Sequence, residues 1–375
     1  NDVNAAISRV IETPGVMCAD YHVHTIRSND AEDDPYVKLR SAIADGLDIP
    51  ARSEHEYAVL TDPLIVELGL GAWGYGLSSL ELTSFELYGH FGVIPLTPTA
   101  GVNGGTEPWQ TYPSATDPDA PITFLTPPQL FDNARARPEE PAVIINHPRG
   151  GANYFDYVGL DNLTGQVENL AAWDTEFRMI EVFNSSSWKA DRNGTVRDWF
   201  ALLNTGRPMF AVGSSDSHGI DGSPVGYPRT CLTLGTDDPR ALNDDMIRDA
   251  SNNGHSYVSG GVYMDVNVPT GSTGSLGETV TGVGATVGVD VRVQIASWIQ
   301  GDFVMDVVVD GEVVETLDID DVVANERYDD TVNIPVGAAG SWVVFAVYSN
   351  TTTTLAPVHP GREVFAVTNP IFLER

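Results

Sequence analysis

The feature that most constrains this chain is a repeated junction, in which a short apolar run ends at once in side chains able to bind metal. Val16 to Tyr21 leads into His22 and His24, and Leu47 to Ala51 into Glu54 and His55. Ala142 to Ile145 leads into His147, Met209 to Gly213 into Asp216 and His218, and Leu77 to Leu82 carries Glu81 within it. Apolar runs of roughly 4–8 residues read as strands, and the helix-like segments between them give the rhythm of strands and crossover helices around a mostly parallel sheet. In α/β barrels and open α/β sheets, ligands bind beyond the carboxyl ends of the strands. Strand ends that carry the same kind of group therefore predict one shared site.

Between these runs, Pro35 to Gly46 reads as a helix stopped by glycine, and Thr126-Pro127 opens another that runs through Arg135. The Pro-, Gly-, Thr- and Asp-rich stretch Thr97 to Thr123 has no periodicity and is expected to form an irregular, lid-like loop. It makes Trp109 and Tyr112 candidate substrate contacts. From about Val262 the pattern changes to strict alternation. Val287, Val289, Val291, Val293 and Ile295 point one way and Gly288, Asp290, Arg292 and Gln294 the other, the period-two mark of a half-buried strand. Asp310-Gly311 reads as a hairpin turn, Trp342 to Tyr348 as a further strand and Phe365 to Leu373 as the closing one. The organisation predicted is a hydrolase-like α/β domain over residues 1–261 and an all-β, sandwich-like domain over 262–375.

The 375 residues, 42% of them hydrophobic, can bury a sizeable core. With Asp+Glu 52 against Lys+Arg 20 and a formal net charge of -32, nucleic acid is excluded as an expected partner. A polyanion gains affinity where Lys and Arg neutralise its phosphates, and this surface would repel it. No stretch approaches the roughly 18 consecutive apolar residues of a membrane span. The chain does not open on Met, and Asn1 to Arg9 lack the basic-then-apolar order of a signal peptide, as expected of a mature or trimmed form. The acidic composition, the scarcity of lysine (Lys38 and Lys189 only) and the β-rich C-terminal part suggest a secreted or periplasmic bacterial protein. Cys18 and Cys231 cannot make a tetrahedral sulfur site by themselves; a disulfide and two free buried thiols both remain open.

His22-Val23-His24 at a strand end puts two imidazoles on one side of an extended chain, because side chains two residues apart share a face. Both can then reach one cation. The run Asp20-Tyr21-His22-Val23-His24-Thr25 with Ser28-Asn29-Asp30, followed by Gly46-Leu47-Asp48 and Ser53-Glu54-His55, resembles the opening of the polymerase and histidinol phosphatase (PHP) family of metal-dependent phosphoesterases. Leu80-Glu81-Leu82-Thr83, Gly89-His90-Phe91, Asn146-His147-Pro148-Arg149 and Ser215-Asp216-Ser217-His218 continue the resemblance in order. Together with Gly150 and the closing Thr368-Asn369-Pro370-Ile371, these segments look like the CehA/McbA branch, which includes a carbaryl hydrolase.

The resemblance implies a distorted seven-stranded (β/α)7 barrel and two or three divalent ions of Zn, Mn or Fe, metals that suit a mixed imidazole and carboxylate set. It assigns His22, His24, Glu81 and Asp216 to a first ion, and makes Glu81 bridge to a second held by His90 and His147. Asp30, His55 and His218 would hold a third. The family has its acid one place earlier, at Asn29, so Asp30 serves only if the loop carries one extra residue; Glu54 stands where an Asp commonly precedes the His. Such cations lower the pKa of bound water from 15.7 to roughly 7, so a bridging hydroxide would be the nucleophile, with Glu81 and Asp216 essential to it. Arg149, two residues past His147, is a candidate catalytic and substrate-binding donor, its alternative being a pair with a surface acid. The expected activity is hydrolysis of a small-molecule phosphate ester. A carboxyl or carbamate ester hydrolase at the same site is the alternative within enzymes, and a secreted, metal-stabilised binding protein the alternative outside them. His255 and His359 fall outside the matched segments and read as structural.

Overall fold

The computed structural model of the protein describes residues 10–84, 87–100, 109–111, 113, 116–269, 275–319, 324–351 and 354–375. Its first part contains β1 (Val16–Val23), α1 (Pro35–Ala44), β2 (Ile49–Arg52), α2 (Asp62–Glu67), β3 (Leu77–Ser78), β4 (Leu80–Leu82) and β5 (Phe91–Ile94). There follow α3 (Pro127–Arg135), β6 (Ala142–Ile145), α4 (Tyr154–Val158), β7 (Met179–Asn184), α5 (Trp188–Asp191) and α6 (Thr195–Asn204), then β8 (Phe210–Ser214), β9 (Arg229–Thr233), α7 (Asp244–Asn252) and β10 (Ser256–Gly260).

Each apolar junction run of the sequence lies in a strand. β1, β2 and β3 pair in parallel, as do β6, β7 and β8, whereas β5 runs antiparallel to both β4 and β6. Only Ser79 separates β3 from β4, so one strand passes from the first sheet into the second. A bridge between Val23 and Ser217 brings the end of β8 back to β1. The result is a mixed α/β fold with a curled half-barrel sheet. α1 begins where the sequence indicates, because the Asp34 carboxylate accepts from Tyr36 N at 2.9 Å and Pro35 needs no donor in the first turn. It ends two residues before Gly46, whose φ of +75° only glycine adopts freely. At the start of α3, Gln129 Oε1 accepts from Thr126 N at 2.9 Å.

The remainder is β11 (Val262–Asn267), β12 (Thr279–Thr281), β13 (Thr286–Ile295), β14 (Phe303–Val309), β15 (Glu312–Asp318), β16 (Glu326–Pro335), β17 (Ser341–Ser349), β18 (Thr354–Leu355), β19 (His359–Glu363), β20 (Phe365–Thr368) and β21 (Ile371–Glu374). β13 alternates as its sequence requires, with Val287, Val289, Val291, Val293 and Ile295 all buried. Asp310 and Gly311, both at positive φ, turn β14 into β15. Between its terminal serines β17 is apolar from Trp342 to Val347, because it is covered on both sides. Val343, Phe345 and Val347 face the three-stranded β11–β13–β16 sheet, while Trp342, Val344 and Ala346 join the core of the first part, where Trp342 meets Phe200 of α6 at 5.0 Å.

One sheet runs across position 261. Its order, β21-β17-β20-β10-β9-β1, carries the C-terminal strands directly onto the strand that bears His22. Cys18 and Cys231 are directly opposed on β1 and β9, with Cα atoms 3.9 Å apart, and form a disulfide. Among the described residues no helix is long and apolar enough to cross a membrane.

Candidate metal centre

Strand direction gathers the site. β1, β2, β6 and β8 release His24, His55, His147, Asp216 and His218 at their carboxyl ends, and Glu81 projects from β4. β5 is antiparallel to its neighbours, so the residue that precedes it, His90, emerges at that same edge. Gly89 makes this entry possible: at φ +104° a Cβ there would lie 2.6 Å from Tyr154 N.

The eight side chains His22, His24, His55, His90, His147, His218, Glu81 and Asp216 converge, with Asp30 at the rim. Glu81 Oε1 lies 3.0 Å from His22 Nε2 and 3.3 Å from both His90 Nδ1 and His147 Nε2. Its other oxygen lies 2.9 Å from His55 Nδ1 and 3.5 Å from His24 Nε2. Asp216 Oδ1 lies 3.1, 3.3 and 3.5 Å from nitrogens of His22, His24 and His218. Asp30 Oδ2 is 3.2 Å from Nε2 of both His55 and His218. Four triads have ligand atoms within 4.8 Å of one another: His22/His24/Glu81, His22/His147/Asp216, His55/Glu81/His90 and His24/His55/His218. His147 thus meets His22 as well as His90, and His55 meets Glu81 as well as His218, in one continuous cluster.

Hydrogen bonds determine which nitrogen of each ring faces inward. His22 Nδ1 donates to Glu181 Oε1 at 2.8 Å, and His218 Nδ1 donates to the carbonyl of Asp216 at 2.9 Å. Ser28 donates its only proton to Glu54 Oε2, so its oxygen accepts from His24 Nδ1 at 3.0 Å. When neutral, each of these three rings carries its proton on Nδ1 and turns the Nε2 lone pair toward carboxylate oxygens, a repulsive arrangement unless positive charge, a proton or a cation, lies between them. His22 Nε2, His24 Nε2, His90 Nδ1, Glu81 Oε2 and Asp216 Oδ1 are buried without a hydrogen-bond partner. Buried polar atoms are rarely left so, and a divalent cation satisfies them together.

The electrostatics make the same demand. Burial opposes charge on His22, yet Asp216, Glu81 and Glu181 drive its pKa well above the ordinary value. Burial also works against His147, which the bond to Glu81 and the charges of Glu81 and Glu181 carry up to about 9. His24 is held down, by burial first and then by the charges of its neighbours His22 and His55. Burial raises Glu81 and Asp216, but the surrounding imidazoles more than offset it and hold both well below the carboxylate range. Protons cannot occupy every ring at once, because the rings repel each other's charge. The His, Asp and Glu groupings therefore suit divalent metal ions.

A second layer, part of which sequence reasoning missed, holds these groups. Glu181 is fully buried in β7, accepts from His22 and also from His147 N at 2.7 Å and Asn184 Nδ2 at 2.9 Å. Its signal was available: an acid inside the buried run Met179–Asn184 needs partners, as Glu81 does. Asn146 Nδ2 donates to Glu81 Oε1 at 2.9 Å. Buried Glu54 accepts from Thr25 N and Arg52 and anchors the Thr25–Ser28 turn, so this acid, which precedes His55, has a structural task. His147, Asp216, Glu56, Ser84 and Ser185 all have positive φ at these strand ends, a clustering of backbone strain typical of functional sites.

Arg149 is not presented to the cluster. Its guanidinium grips Asp198 through two bonds, of 3.0 and 2.5 Å, and also donates to Asp156 and the Leu160 carbonyl. An excess of acids has captured it, which makes it a strut for the loop after β6 rather than a free donor for substrate. Trp109 stacks on Phe124 at 5.4 Å within the loop and does not line the cavity beside the cluster. Tyr112 lies outside the described residues. That cavity measures about 450 Å³ and is bordered by Asp30, His55 and His90 on the side of the cluster and by Arg27, Tyr57 and Thr83 beyond.

No family model matches this sequence, and no curated protein does. Among solved structures, a lesion-specific endonuclease from Pyrococcus furiosus is similar at 12% identity and a TM-score of 0.39, over 63% of this chain and 56% of the endonuclease. The chain thus spans little more than half of that protein's length. A protein provisionally assigned as a metal-dependent phosphoesterase, from Bifidobacterium adolescentis, is similar at 13% identity and a TM-score of 0.35, over 64% of this chain and 96% of its own. At such scores neither likeness bears on the chemistry.

Proposed function

We propose that this chain is a metal-dependent hydrolase of small-molecule phosphate esters. The observation that carries the reading is the set of buried imidazole and carboxylate lone pairs that face one another without hydrogen-bond partners, beside an open cavity. Two or three ions of Zn, Mn or Fe fit them. Once bound, the cations supply hydroxide at neutral pH and Lewis acidity toward the oxygen being displaced. The chain's own groups do the positioning. Glu81 directs one oxygen to His22, His90 and His147 and the other to His24 and His55, which suits a bridging carboxylate. Asp216 serves the His22 and His24 side, and Glu181 holds the His22 tautomer. His55, His90, His147 and His218 are only partly buried, which favours open coordination positions over a closed structural site.

In this reading β1 to β8, with β3 and β4 counted as one strand, are the distorted seven-stranded barrel of the PHP type in its CehA/McbA-like branch. Residues 262–375 are a sandwich-like domain. The net charge of -32 supports a small substrate over nucleic acid. The Cys18–Cys231 disulfide supports a secreted or periplasmic location.

The test is elemental analysis together with an ester panel. Protein reloaded with Zn or Mn should hold two or three ions per chain and hydrolyse aryl phosphomono-, di- or triesters faster than aryl carboxyl esters. One ion or none would end the multinuclear reading. Activity confined to carboxyl esters would replace phosphorus with carbonyl carbon as the target.

A further inference from the structure

We propose that Arg27 reads an oxyanion group, carboxylate or phosphate, that the substrate carries away from the bond being cleaved. This rests on the hydrolase reading above and extends it to a substrate class: esters of a planar alcohol bearing a second anionic group.

Arg27 lies in the Thr25–Ser28 turn, between the ligands His24 and Asp30. The turn is closed by Ser28 N donating to Thr25 O at 2.8 Å, and Ile26 N donates to Asp33 O at 2.9 Å. Both of its ends are tied to buried Glu54, by Thr25 N at 2.9 Å and Ser28 Oγ at 2.9 Å. The backbone that carries Arg27 is therefore fixed at both ends of its turn.

The head group is free. Among the described residues Arg27 has no acid at ion-pairing distance, whereas Arg52, Arg135, Arg149, Arg240, Arg248 and Arg292 all have one. Other described cations, Arg197 and Arg207 among them, also have no acid at ion-pairing distance, but Arg27 is the one Arg or Lys among the described residues that borders the cavity beside the cluster. The two acids that border the same cavity, Asp30 and Glu56, are engaged elsewhere. Asp30 Oδ2 is directed to His55 and His218, and Glu56 Oε1 accepts from Thr83 N at 2.6 Å and Ser84 N at 3.0 Å.

Arg27 borders the same cavity as His55 and His90, so a substrate whose scissile group sits among those imidazoles extends toward it. Tyr57, also on that wall, is 38% exposed and offers a flat apolar face to a planar group. A guanidinium fork binds carboxylate or phosphate through two parallel bonds, a geometry that a neutral group cannot use.

The experiment titrates metal-loaded protein calorimetrically with phenylphosphonate, 4-carboxyphenylphosphonate, 1,4-phenylenebisphosphonate and 4-(aminomethyl)phenylphosphonate. At least one of the two oxyanion-bearing ligands should bind about tenfold tighter than phenylphosphonate, the yield of one charge-assisted pair. Comparing the two shows whether carboxylate or phosphate is preferred. Arg27→Met should bring that gap to about twofold or less, and Arg27→Lys should retain part of it. Metal content and melting temperature are measured for each variant. Equal weakening of charged and uncharged ligands by Arg27→Met, or a wild-type preference for the aminomethyl ligand, overturns the proposal.

Turnover separates this result from the hydrolase reading. If phenyl acetate is cleaved and phenyl phosphate is not, phosphorus is the wrong target, yet a preference for 4-carboxyphenyl acetate that disappears in Arg27→Met leaves the assignment of Arg27 standing. If neither class of ester is cleaved, both proposals fall.

Discussion

Glu81→Gln should damage this protein more than His55→Ala, and the structure indicates by how much. Glu81 is fully buried, and its two oxygens lie 2.9–3.5 Å from nitrogens of five imidazoles. Any cation held by those nitrogens lies close to the carboxylate. At roughly 4 Å and an effective dielectric near 20, a unit charge pair is worth about 4 kcal/mol, or about a thousandfold in affinity. The amide keeps the shape of the carboxylate but removes its charge and replaces one lone-pair oxygen by a donor. Glu81→Gln should therefore weaken metal retention by about two to three orders of magnitude, with turnover falling in parallel. His55→Ala deletes a neutral ligand and leaves Glu81 Oε1 with His22, His90 and His147, so the expected loss is on the order of tenfold. Both variants are dialysed against a metal buffer, then assayed for bound metal and for rate, because lost metal and lost chemistry look alike in a rate alone. Near-ultraviolet circular dichroism checks that each is folded. If His55→Ala abolished turnover while Glu81→Gln kept its metals and its rate, the bridging role of Glu81 would be refuted.

Glu181→Gln replaces the acceptor that holds His22 in its tautomer, and metal affinity or activity should drop by about 10–100-fold without loss of fold; wild-type affinity would remove Glu181 from the site. Arg149→Met leaves Asp198 buried without its partner and should cost about 2–3 kcal/mol of stability by denaturant titration, with the relative rates on anionic and neutral esters unaltered. A selective loss of anionic substrates in that variant would restore Arg149 to the binding site. His359 is pushed down to about 4 by burial and by Arg229 and Arg362, against an ordinary 6.5. Its neutral form therefore contributes stability fully above about pH 6.5, and roughly 2–3 kcal/mol of it is lost as the pH falls toward 4, where the unfolded chain takes up the proton first. His359→Gln should flatten this part of the stability profile, and an unchanged slope from pH 6.5 to 4 would show that His359 is not the source.

Local rules made much of this protein readable from its sequence. Period-two alternation placed Val287 through Ile295 on the buried face of β13, and apolar runs that end in His, Asp or Glu marked the strand ends where the cluster assembles. Both signals depend on near neighbours along the chain, so no folded context was needed to read them. Asp310-Gly311 and the proline-led start of α3 belong to the same class, because turn and cap preferences act within a few residues.

What only the tertiary structure decided involves partners distant in sequence. Arg149 carries no sign in its own segment that Asp198 will take its guanidinium, and Cys18 carries none that β9 will set Cys231 opposite it. The same holds for β7, where an acid inside an apolar run signals a need for partners but nothing nearby shows that His22 and the His147 backbone will supply them. The change of domain character near residue 262 was visible as a change of period, but not that β10, β20 and β17 would continue the sheet of β1 across it. Pairing between strands far apart in the chain is chosen by the burial of whole faces, and the free energy of that choice belongs to no single segment. The sequence therefore marked which imidazoles and carboxylates stand at the strand ends, and the fold determined which atom of each one faces the centre and which neighbour holds it there.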